Sequence, residues 1–245
     1  MKRHDVIVDM VNRSGFESVN SLATALNVNV STVRRDLVAL DAANSIRRTH
    51  GGAVPYSATA HDATPCPQLY EKRAIGFAMA ERILEGQTVF LDSGTTCLEV
   101  ARSLQHRSLT VVTHDLPIAS EILKHPALNL IIIGGELLPL RTHIWGPTAI
   151  DQLNRMRLNV AIFGTSSVME DGIYGNSGYS LELQRTVRRI ASDAFFVADS
   201  TKFGREAMYK ILGIEDFNAG ITDSLLSPIT AANYPIPLIR ARVAP

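Results

Sequence analysis

Residues 20–52 read NSLATALNVNVSTVRRDLVALDAANSIRRTHGG and decide the fold of the N-terminal part of the chain. Apolar residues recur at three- and four-residue spacing over 19–26 and again over 33–40, which predicts two short helices. Asn29 marks the start of the second helix, because asparagine caps helices with its side-chain oxygen. A strand, a glycine turn and a second strand follow over 46–54. Two helices and a basic hairpin are typical of a winged helix-turn-helix, which binds DNA.

The early residues of the second helix are those that reach base edges in the major groove. Hydroxyl groups and arginines suit that position, since arginine donates two hydrogen bonds to guanine and also binds phosphate. The arginines of the hairpin would lie along the phosphate backbone. A small helical bundle with a solvated arginine face has the same apolar spacing and is the alternative. The candidate DNA contacts are Val30, Ser31, Thr32, Arg34, Arg35, Arg47, Arg48 and His50.

The same stretch resembles the N-terminal domain of the DeoR-type (GlpR-type) bacterial repressors. Leu22-Ala23, the run Thr32–Leu37 and the run Arg47–Ala53 carry the resemblance in the same order as in that family. Asn29 stands where the family usually has serine, and Asn44-Ser45 where it commonly has glycine. Both asparagine and serine cap helices, so the assignment is unaffected.

Composition limits the class of protein. The chain has 245 residues, enough for one small and one medium domain, and a formal net charge of zero. Residues 1–55 carry only a weak excess of Lys and Arg over Asp and Glu. Cys66 and Cys97 are too few for a disulfide framework or a metal site. The N-terminus predicts an amphipathic helix rather than a signal peptide, and no apolar run is long enough to span a membrane. We expect a soluble, cytoplasmic protein without a metal or cofactor.

Beyond a proline-rich stretch, helices and short apolar strands alternate. We predict a DNA-binding domain over 1–55, a linker over 56–69 and an effector domain over 70–245. The alternation indicates an α/β domain with a largely parallel sheet. The predicted helices cover 69–84, 97–104, 117–124, 149–156 and 181–191, and the predicted strands 88–91, 109–112, 128–133, 160–163 and 194–198.

Polar or glycine-rich residues follow each of these strands, and ligands bind beyond the carboxyl ends of parallel strands. The loop 92–96 reads DSGTT between a strand and a helix start. Its glycine permits a tight turn, its hydroxyls are donors, and the helix dipole favours an anion. Because it lacks the lysine of a P-loop, ATP chemistry is not indicated. An ordinary capped helix start is the alternative to a phosphate cradle.

Further candidates lie on either side of this loop in the sequence. Lys202, at a strand end, suits a phosphate partner, although a surface lysine is equally compatible. Lys72 fits a solvated helix face equally well. Glu182 and Arg185 are one helical turn apart, so they form either an internal ion pair or contacts to sugar hydroxyls. Trp145 favours core packing over stacking on a sugar.

The resemblance to the DeoR-type repressors extends over nearly the whole chain, through Glu71-Lys72, loop 92–96, Gly146-Pro147 and the run Ala198–Gly204. It implies a ribose-5-phosphate-isomerase-like α/β fold that senses a phosphorylated sugar, with loop 92–96 holding phosphate and Lys72, Asp199 and Lys202 serving the inducer response. His114 departs from the family, which usually has asparagine there. The candidate effector contacts are Lys72, Asp92, Ser93, Gly94, Thr95, Thr96, Thr113, Gly134, Gly135, Glu182, Arg185, Asp199 and Lys202.

Two functions compete at this point. The first is a transcriptional repressor of a carbohydrate-utilisation operon, controlled by a sugar phosphate and acting as a homo-oligomer, either dimer or tetramer. The second is a phosphosugar isomerase with an appended helical domain, for which Asp92, Asp115, Asp199 or Glu182 could supply a base. The wing and the recognition helix favour the repressor, because an isomerase has no use for them. Cys97 as a nucleophile at a helix start is a third, weaker idea.

Overall fold

The computed structural model describes residues 3–14, 16–43, 45–49, 51–55, 66–104, 108–137 and 142–243. The chain divides into two compact units, Met1–Pro67 and Gln68–Pro245. Most of the linker predicted over 56–69 lies outside the described residues. Each unit has its own buried core and is described by itself.

The described residues of the first unit form three helices and a three-stranded antiparallel sheet in the order β1-β3-β2. Its elements are α1 (Arg3–Ser14), β1 (Glu17–Ser18), α2 (Val19–Leu26), α3 (Val30–Ala42), β2 (Ile46–Thr49) and β3 (Gly52–Pro55). This is the winged helix-turn-helix that the sequence predicts.

Capping residues set the turn between α2 and α3. Asn27 ends α2 in the left-handed conformation, which asparagine tolerates better than most residues. Asn29 then caps α3 by accepting a hydrogen bond from the Ser31 N–H at 2.9 Å, which confirms the predicted helix start. Leu22 and Leu37 are fully buried beneath the turn.

A buried carboxylate joins α1 to α3. Asp36 accepts two hydrogen bonds from the Arg3 guanidinium, at 2.6 and 2.8 Å, and lies 3.1 Å from the His4 ring. The hydrogen bond from Arg3 lowers the pKa of Asp36 below its usual value. The face of α3 opposite its exposed arginines is therefore fixed by packing and by this ion pair.

The second unit is built on seven parallel strands in the order β15-β14-β12-β9-β4-β5-β6. The elements that precede the central strand β9 are α4 (Leu69–Ala80), β4 (Thr88–Leu91), α5 (Thr95–Ser103), β5 (Thr110–Thr113), α6 (Leu116–Ile122), β6 (Asn129–Ile132), β7 (Glu136–Leu137), β8 (Ile144–Trp145) and α7 (Pro147–Asn154). Those from β9 onward are β9 (Leu158–Gly164), β10 (Ser167–Met169), β11 (Gly172–Gly175), α8 (Leu181–Ile190), β12 (Ala191–Val197), β13 (Tyr209–Gly213), β14 (Ala219–Asp223), α9 (Pro228–Ala232) and β15 (Leu238–Ala241).

Helices cover both faces of this sheet. Along β4, Val89 and Leu91 face the core under α4, α5 and α6, whereas Phe90 faces the core under α7 and α8. A strand buried on both faces appears in the sequence as a continuous apolar run, which is why these strands are recognisable. A smaller antiparallel sheet, β10-β11-β13, lies beside this layered body.

Some predicted boundaries are wrong. The helix predicted over 69–84 ends at Ala80, because the N–H groups of Arg82 and Ile83 bond carbonyls only three residues back. The helix predicted over 149–156 begins at Pro147, whose ring fixes the backbone angle of a first helical residue. The other predicted helices and strands agree with the structure to within three residues at each end.

The strands of the second unit that were not predicted are β7, β8, β10, β11, β13, β14 and β15. Strand β10 has only three residues, and β11 begins and ends with glycine. Strand β14 begins with Ala219-Gly220, residues with little preference for strands. Within the described residues, no helix is both long and apolar enough to cross a bilayer. In that same part of the chain, no group of three or more His, Cys, Asp or Glu residues is arranged to hold a metal ion.

Candidate functional site

The second unit has a cavity of about 380 Å³ beyond the carboxyl ends of β4 and β9. In the sheet, β5 and β6 lie on one side of β4, whereas β12, β14 and β15 lie on the opposite side, beyond β9. The direction in which successive strands are added therefore reverses between β4 and β9. Ligands of open parallel sheets bind at such a reversal. The cavity is lined by Lys72, Asp92, Ser93, Gly94, Thr95, Thr96, His143, Gly164, Thr165, Ser166, Gly175, Asn176, Ser177, Ser180, Gln184, Lys202 and Ile211.

The loop 92–96 forms one wall and ends at the start of α5. Gly94 occupies the N-cap position with φ +106°, a conformation that glycine adopts without strain. A Cβ on Gly94 would meet no atom within 4 Å, so the space beside it is open. The first N–H groups of a helix have no partner within the helix, and Gly94 has no side chain to satisfy them. The wall therefore offers backbone donors to an anion.

Gly164, at the end of β9, allows this loop to pack closely. A Cβ at that position would lie 2.6 Å from the Ser93 carbonyl oxygen and 3.3 Å from Cys97 Sγ. The loop is also tied to β9 by the hydrogen bond from the Asp92 N–H to the Ile162 carbonyl, at 3.0 Å. The end of β9 thus fixes the position of the loop.

Asp92 is buried and joins three separate stretches of chain. Its Oδ1 accepts hydrogen bonds from the Ser93 N–H at 2.8 Å and from His114 Nε2 at 3.0 Å. Its Oδ2 accepts from the Gln184 side-chain amide at 2.8 Å. The first residue of the loop is therefore held by β5 on one side and by α8 on the other.

His114 is fully buried, and both of its ring nitrogens face acceptors. Nδ1 lies 2.7 Å from the Ile144 carbonyl oxygen, and Nε2 contacts Asp92. Only the doubly protonated ring donates from both nitrogens, so the geometry favours the imidazolium. Burial by itself would lower the pKa of His114, but the hydrogen bond and charge of Asp92, helped by the Ile144 carbonyl and Asp115, raise it above its ordinary value.

Two lysines from distant parts of the sequence reach the cavity. Lys72 lies in the first turn of α4 and is 4% exposed, and Lys202 ends a short 3-10 turn over Ser200–Lys202. Asp199 caps that turn by accepting the Thr201 N–H at 3.1 Å. Asp199 is buried and does not line the cavity, so its observed contact positions the turn that carries Lys202.

Three candidates from the strand ends are not among the lining residues. Thr113 donates to the Leu91 carbonyl at 2.8 Å and accepts the Asp115 N–H at 3.1 Å, which joins β4 to β5. The Gly134 N–H donates to the Gln152 side chain at 3.1 Å. Gly135 allows a close approach of the backbone, since a Cβ there would lie 2.4 Å from the Trp145 carbonyl oxygen.

Glu182 and Arg185 are exposed on α8 and also lie outside the lining. Arg185 donates to the carbonyl groups of Ile211 and Lys210, both at 3.4 Å. Gln184 faces the cavity instead. A polar residue on the buried face of a strongly amphipathic helix was the signal that would have identified it.

Most of the wall opposite loop 92–96 comes from residues that were not among the candidate effector contacts. His143 comes from the segment before β8, while Asn176, Ser177 and Ser180 come from the loop between β11 and α8. Beside this wall, Trp145 packs edge-on against Tyr179 at 5.2 Å between ring centroids. Trp145 is half-buried, belongs to neither hydrophobic core of this unit and does not line the cavity, so it has neither the core-packing role favoured for it nor the stacking role.

Cys97 is buried at the start of α5. Burial raises the pKa of its thiol well above the ordinary value, and the charges of Asp92 and Asp115 raise it further. The thiolate is the nucleophilic form of cysteine. The environment of Cys97 therefore argues against a nucleophile, because it suppresses that form.

In the first unit, the start of α3 presents its polar side chains to solvent. Ser31, Arg34 and Arg35 are exposed, and Val30 and Thr32 are half-buried. The Arg35 guanidinium donates to the Ser31 carbonyl at 3.5 Å, back along the same helix. The exposed face is thus hydroxylic and cationic.

The hairpin β2-β3 adds Arg48 to the cations of this surface. Arg34 and Arg48 line one groove of about 360 Å³, with Gly51 and Gly52 at its end. The Arg48 N–H donates to Asp41 Oδ1 at 3.0 Å, which ties the wing to α3. The side chain of Arg47 and the whole of His50 lie outside the described residues. Recognition helix and wing therefore share one basic groove.

Family comparisons agree with both units. The family described as "DeoR-like helix-turn-helix domain" matches residues 3–59, and that described as "DeoR C terminal sensor domain" matches residues 68–224. Together the two matches span most of the chain.

Two named repressors are similar to this chain over about nine tenths of its length. The glycerol-3-phosphate regulon repressor of Escherichia coli (strain K12) is 33% identical over 229 residues, covering 91% of this chain and 90% of that protein. The transcriptional repressor AccR of Agrobacterium fabrum is 31% identical, covering 91% and 89%. A ribose 5-phosphate isomerase A structure from Neisseria gonorrhoeae aligns with a TM-score of 0.41 at 14% identity, covering 54% of this chain and 52% of that one. From its two domain matches and its full-length relatives, the chain belongs to the DeoR family of helix-turn-helix transcriptional regulators.

Proposed function

We propose that the protein is a transcriptional repressor that binds operator DNA and is controlled by a phosphorylated sugar. Residues 1–55 are the DNA-binding domain, 56–69 the linker and 70–245 the effector domain. The relatives named as repressors of glycerol-3-phosphate and lactose phosphotransferase genes support a role in carbohydrate utilisation. A repressor acts where the chromosome is, which supports a cytoplasmic location.

The observation that carries the proposal is the lining of the cavity. Loop 92–96 supplies helix N–H groups and hydroxyls, and Lys72 and Lys202 line the same space. Backbone donors at a helix start together with lysine charges suit a phosphate group. The hydroxyl and amide groups of Asn176, Ser177 and Gln184 suit the hydroxyls of a sugar. The volume is within the range of small-ligand sites.

The groove of the first unit supports the DNA-binding part of the proposal. In this proposal, Ser31, Arg34 and Arg35 of α3 contact bases and phosphates, and Arg48 of the wing contacts phosphate. Arg47 keeps its predicted place along the phosphate backbone, and His50 its predicted role as a DNA contact.

The geometry of the carboxylates disfavours the isomerase. A general base must reach the substrate proton, but both oxygens of Asp92 accept hydrogen bonds from protein groups. Asp199 caps a turn, and Glu182 does not line the cavity. The family assignment points the same way.

We propose that the protein is a homo-oligomer, dimer or tetramer, because helix-turn-helix regulators bind two half-sites with two copies. Light scattering on the purified full chain measures its mass. A mass equal to one chain at micromolar concentration would contradict this part of the proposal.

A thermal-shift screen of the full chain tests the effector. The probes are orthophosphate, glycerol 3-phosphate and a set of pentose and hexose phosphates, each beside its unphosphorylated counterpart. A ligand at about 100 times its Kd stabilises the native state by about 2.7 kcal/mol. We expect a phosphorylated compound to raise Tm and its counterpart not to. Equal shifts from both would refute the phosphate assignment.

The DNA part is tested separately by in vitro selection of binding sequences with the full chain. Fluorescence anisotropy then measures affinity for the selected site with and without the compound found in the screen. We expect the compound to change the affinity. A protein that selects no sequence would refute the regulator, whatever the screen shows.

A further inference from the structure

The outer face of α4 carries an exposed aromatic stripe. Tyr70 is 69% exposed and Phe77 is 62% exposed, two helical turns apart, whereas Ile75 and Met79 on the opposite face are fully buried. Ala74 and Ala78 flank Phe77, and Ala241 at the end of the edge strand β15 forms the far wall of a groove of about 520 Å³. Large side chains exposed together on one face mark an interaction surface rather than scattered surface residues.

The two charges that α4 contributes to this stripe are placed symmetrically about Phe77, and Arg242, just after β15, adds a third charge to the lining of the groove. Arg73 precedes Phe77 by four residues and Glu81 follows it by four, and both line the same groove. Glu81 is the C-cap of α4 and keeps right-handed helical backbone angles, so the helical spacing holds over this span. At 1.5 Å per residue, each charge lies about 6 Å along the helix from Phe77, in opposite directions.

A second copy of the helix is complementary to this pattern. If two α4 helices pack antiparallel about a two-fold axis at Phe77, Arg73 of each copy lies beside Glu81 of the partner subunit. The interface then holds two identical ion pairs around a pair of phenylalanines, as two-fold symmetry requires. Ala74 and Ala78 leave room for the helix axes to approach.

We propose that the α4 stripe, Tyr70, Arg73, Ala74, Phe77, Ala78 and Glu81, docks on the same stripe of a second copy of this chain. The proposal rests on the homo-oligomer proposed above and names its surface. The contacts of Arg73 within its own chain are compatible with an ion pair to the partner subunit. Arg73 lies 3.8 Å from Glu99, but Glu99 is already bound by Arg102 at 2.5 Å, so Arg73 can pair elsewhere without stranding a buried carboxylate.

Single charge reversals test the pairing in the full-length protein. Arg73→Glu places two carboxylates beside each other twice in the dimer, and Glu81→Arg places two cations beside each other twice. We expect each variant to dissociate at this interface, with a Kd raised more than about tenfold, since like charges in contact oppose association. By sedimentation velocity, each should have half the mass of the wild type.

Mixing the two variants is the decisive step. A pair made of one Arg73→Glu chain and one Glu81→Arg chain restores an opposite-charge contact at both positions. We therefore expect the equimolar mixture to regain the wild-type mass. The control pair Arg155→Glu and Asp151→Arg makes the same changes on α7, where both residues are largely exposed, and should keep the wild-type mass throughout.

Thermal unfolding shows whether each variant is folded. If Arg73→Glu unfolds because of Glu99, Phe77→Glu replaces it, since this exposed side chain contributes little to the core and two carboxylates at the axis should also split the dimer. If the wild-type protein had the mass of a single chain, both the proposed homo-oligomer and the proposed α4 interface would be overturned. If all the α4 variants kept the mass of the wild-type oligomer, the α4 interface would be overturned and the homo-oligomer would stand. Two split variants that fail to recombine would overturn the antiparallel two-fold arrangement.

Discussion

Gly164→Ala should disturb the proposed phosphate cradle without altering any side chain in it. The new Cβ would lie 2.6 Å from the Ser93 carbonyl oxygen and 3.3 Å from Cys97 Sγ, and the nearer atom is backbone that cannot rotate away. Restoring an allowed contact requires the loop 92–96 to move by about 0.4 Å or more. The hydrogen bonds of Asp92 to His114 and Gln184 resist that movement.

Two effects follow from the forced movement. Overpacking of this kind typically costs about 1–3 kcal/mol of folding free energy, and for a protein of this size each kcal/mol lowers Tm by about 2–4 °C. The displaced N–H groups would also lose good geometry toward a bound phosphate. Loss of one charge-assisted hydrogen bond costs about 1.5–3 kcal/mol, which weakens binding roughly 10- to 150-fold.

Calorimetric titration with orthophosphate, and with the compound that gives the largest thermal shift, measures the effect. Gly175→Ala is the matched control, since it lines the same cavity but its Cβ would lie 3.2 Å from the flexible end of Ile211. We expect the control to keep near wild-type Tm and affinity. If folded Gly164→Ala bound phosphate as tightly as the wild type, the close packing of β9 against the loop would not govern binding.

Three further predictions concern the two sites. Arg34→Ala and Arg35→Ala should each lose about 1–3 kcal/mol of specific DNA affinity, measured by fluorescence anisotropy, and should keep the thermal response to sugar phosphate. If both variants kept the wild-type DNA affinity, this face of α3 would not be the DNA-binding surface. Lys202→Ala should bind DNA with wild-type affinity, but the ligand should no longer change that affinity. Lys202→Arg should restore the ligand-induced change only in part. Loss of DNA binding in a folded Lys202→Ala variant would indicate a structural role for this lysine. Because the pKa of folded His114 is raised, the stability it contributes is complete below pH 6.5, its ordinary value, and is lost as the pH rises through the raised pKa. Thermal unfolding from about pH 6 to 9 should therefore show a fall in Tm for the wild type that His114→Asn lacks.

Elements with local signals were predictable from the sequence. Asn29 starts α3 because its side chain caps the next turn, and this interaction spans only two residues. The loop 92–96 was recognisable because a buried apolar run, a glycine and hydroxyl residues occur in consecutive positions. Lys202 was predicted because parallel strands end at a common edge, and it does reach the cavity.

Residues placed by distant contacts were not predictable. His143, Asn176 and Ser177 belong to segments whose position depends on the bridge between Asp115 and His143 and on the antiparallel pairing of β10, β11 and β13. On α8 the error was one of helical phase, since exposed Arg185 directly follows buried Gln184 in the sequence. Thr113 was predicted to contact the effector but does not line the cavity. Its side chain bonds the neighbouring backbone of Leu91 instead of facing a ligand.

The buried pair of Asp92 and His114 determines how charge is distributed in the cavity. A lone carboxylate at the first residue of the loop would oppose an incoming phosphate, because like charges repel most strongly where water is excluded. When His114 is protonated, its ring, held by Asp92 on one side and by the Ile144 carbonyl on the other, balances that charge inside the protein. The carboxylate can then position the loop through its hydrogen bonds while the lysines set the sign of the potential that the phosphate meets.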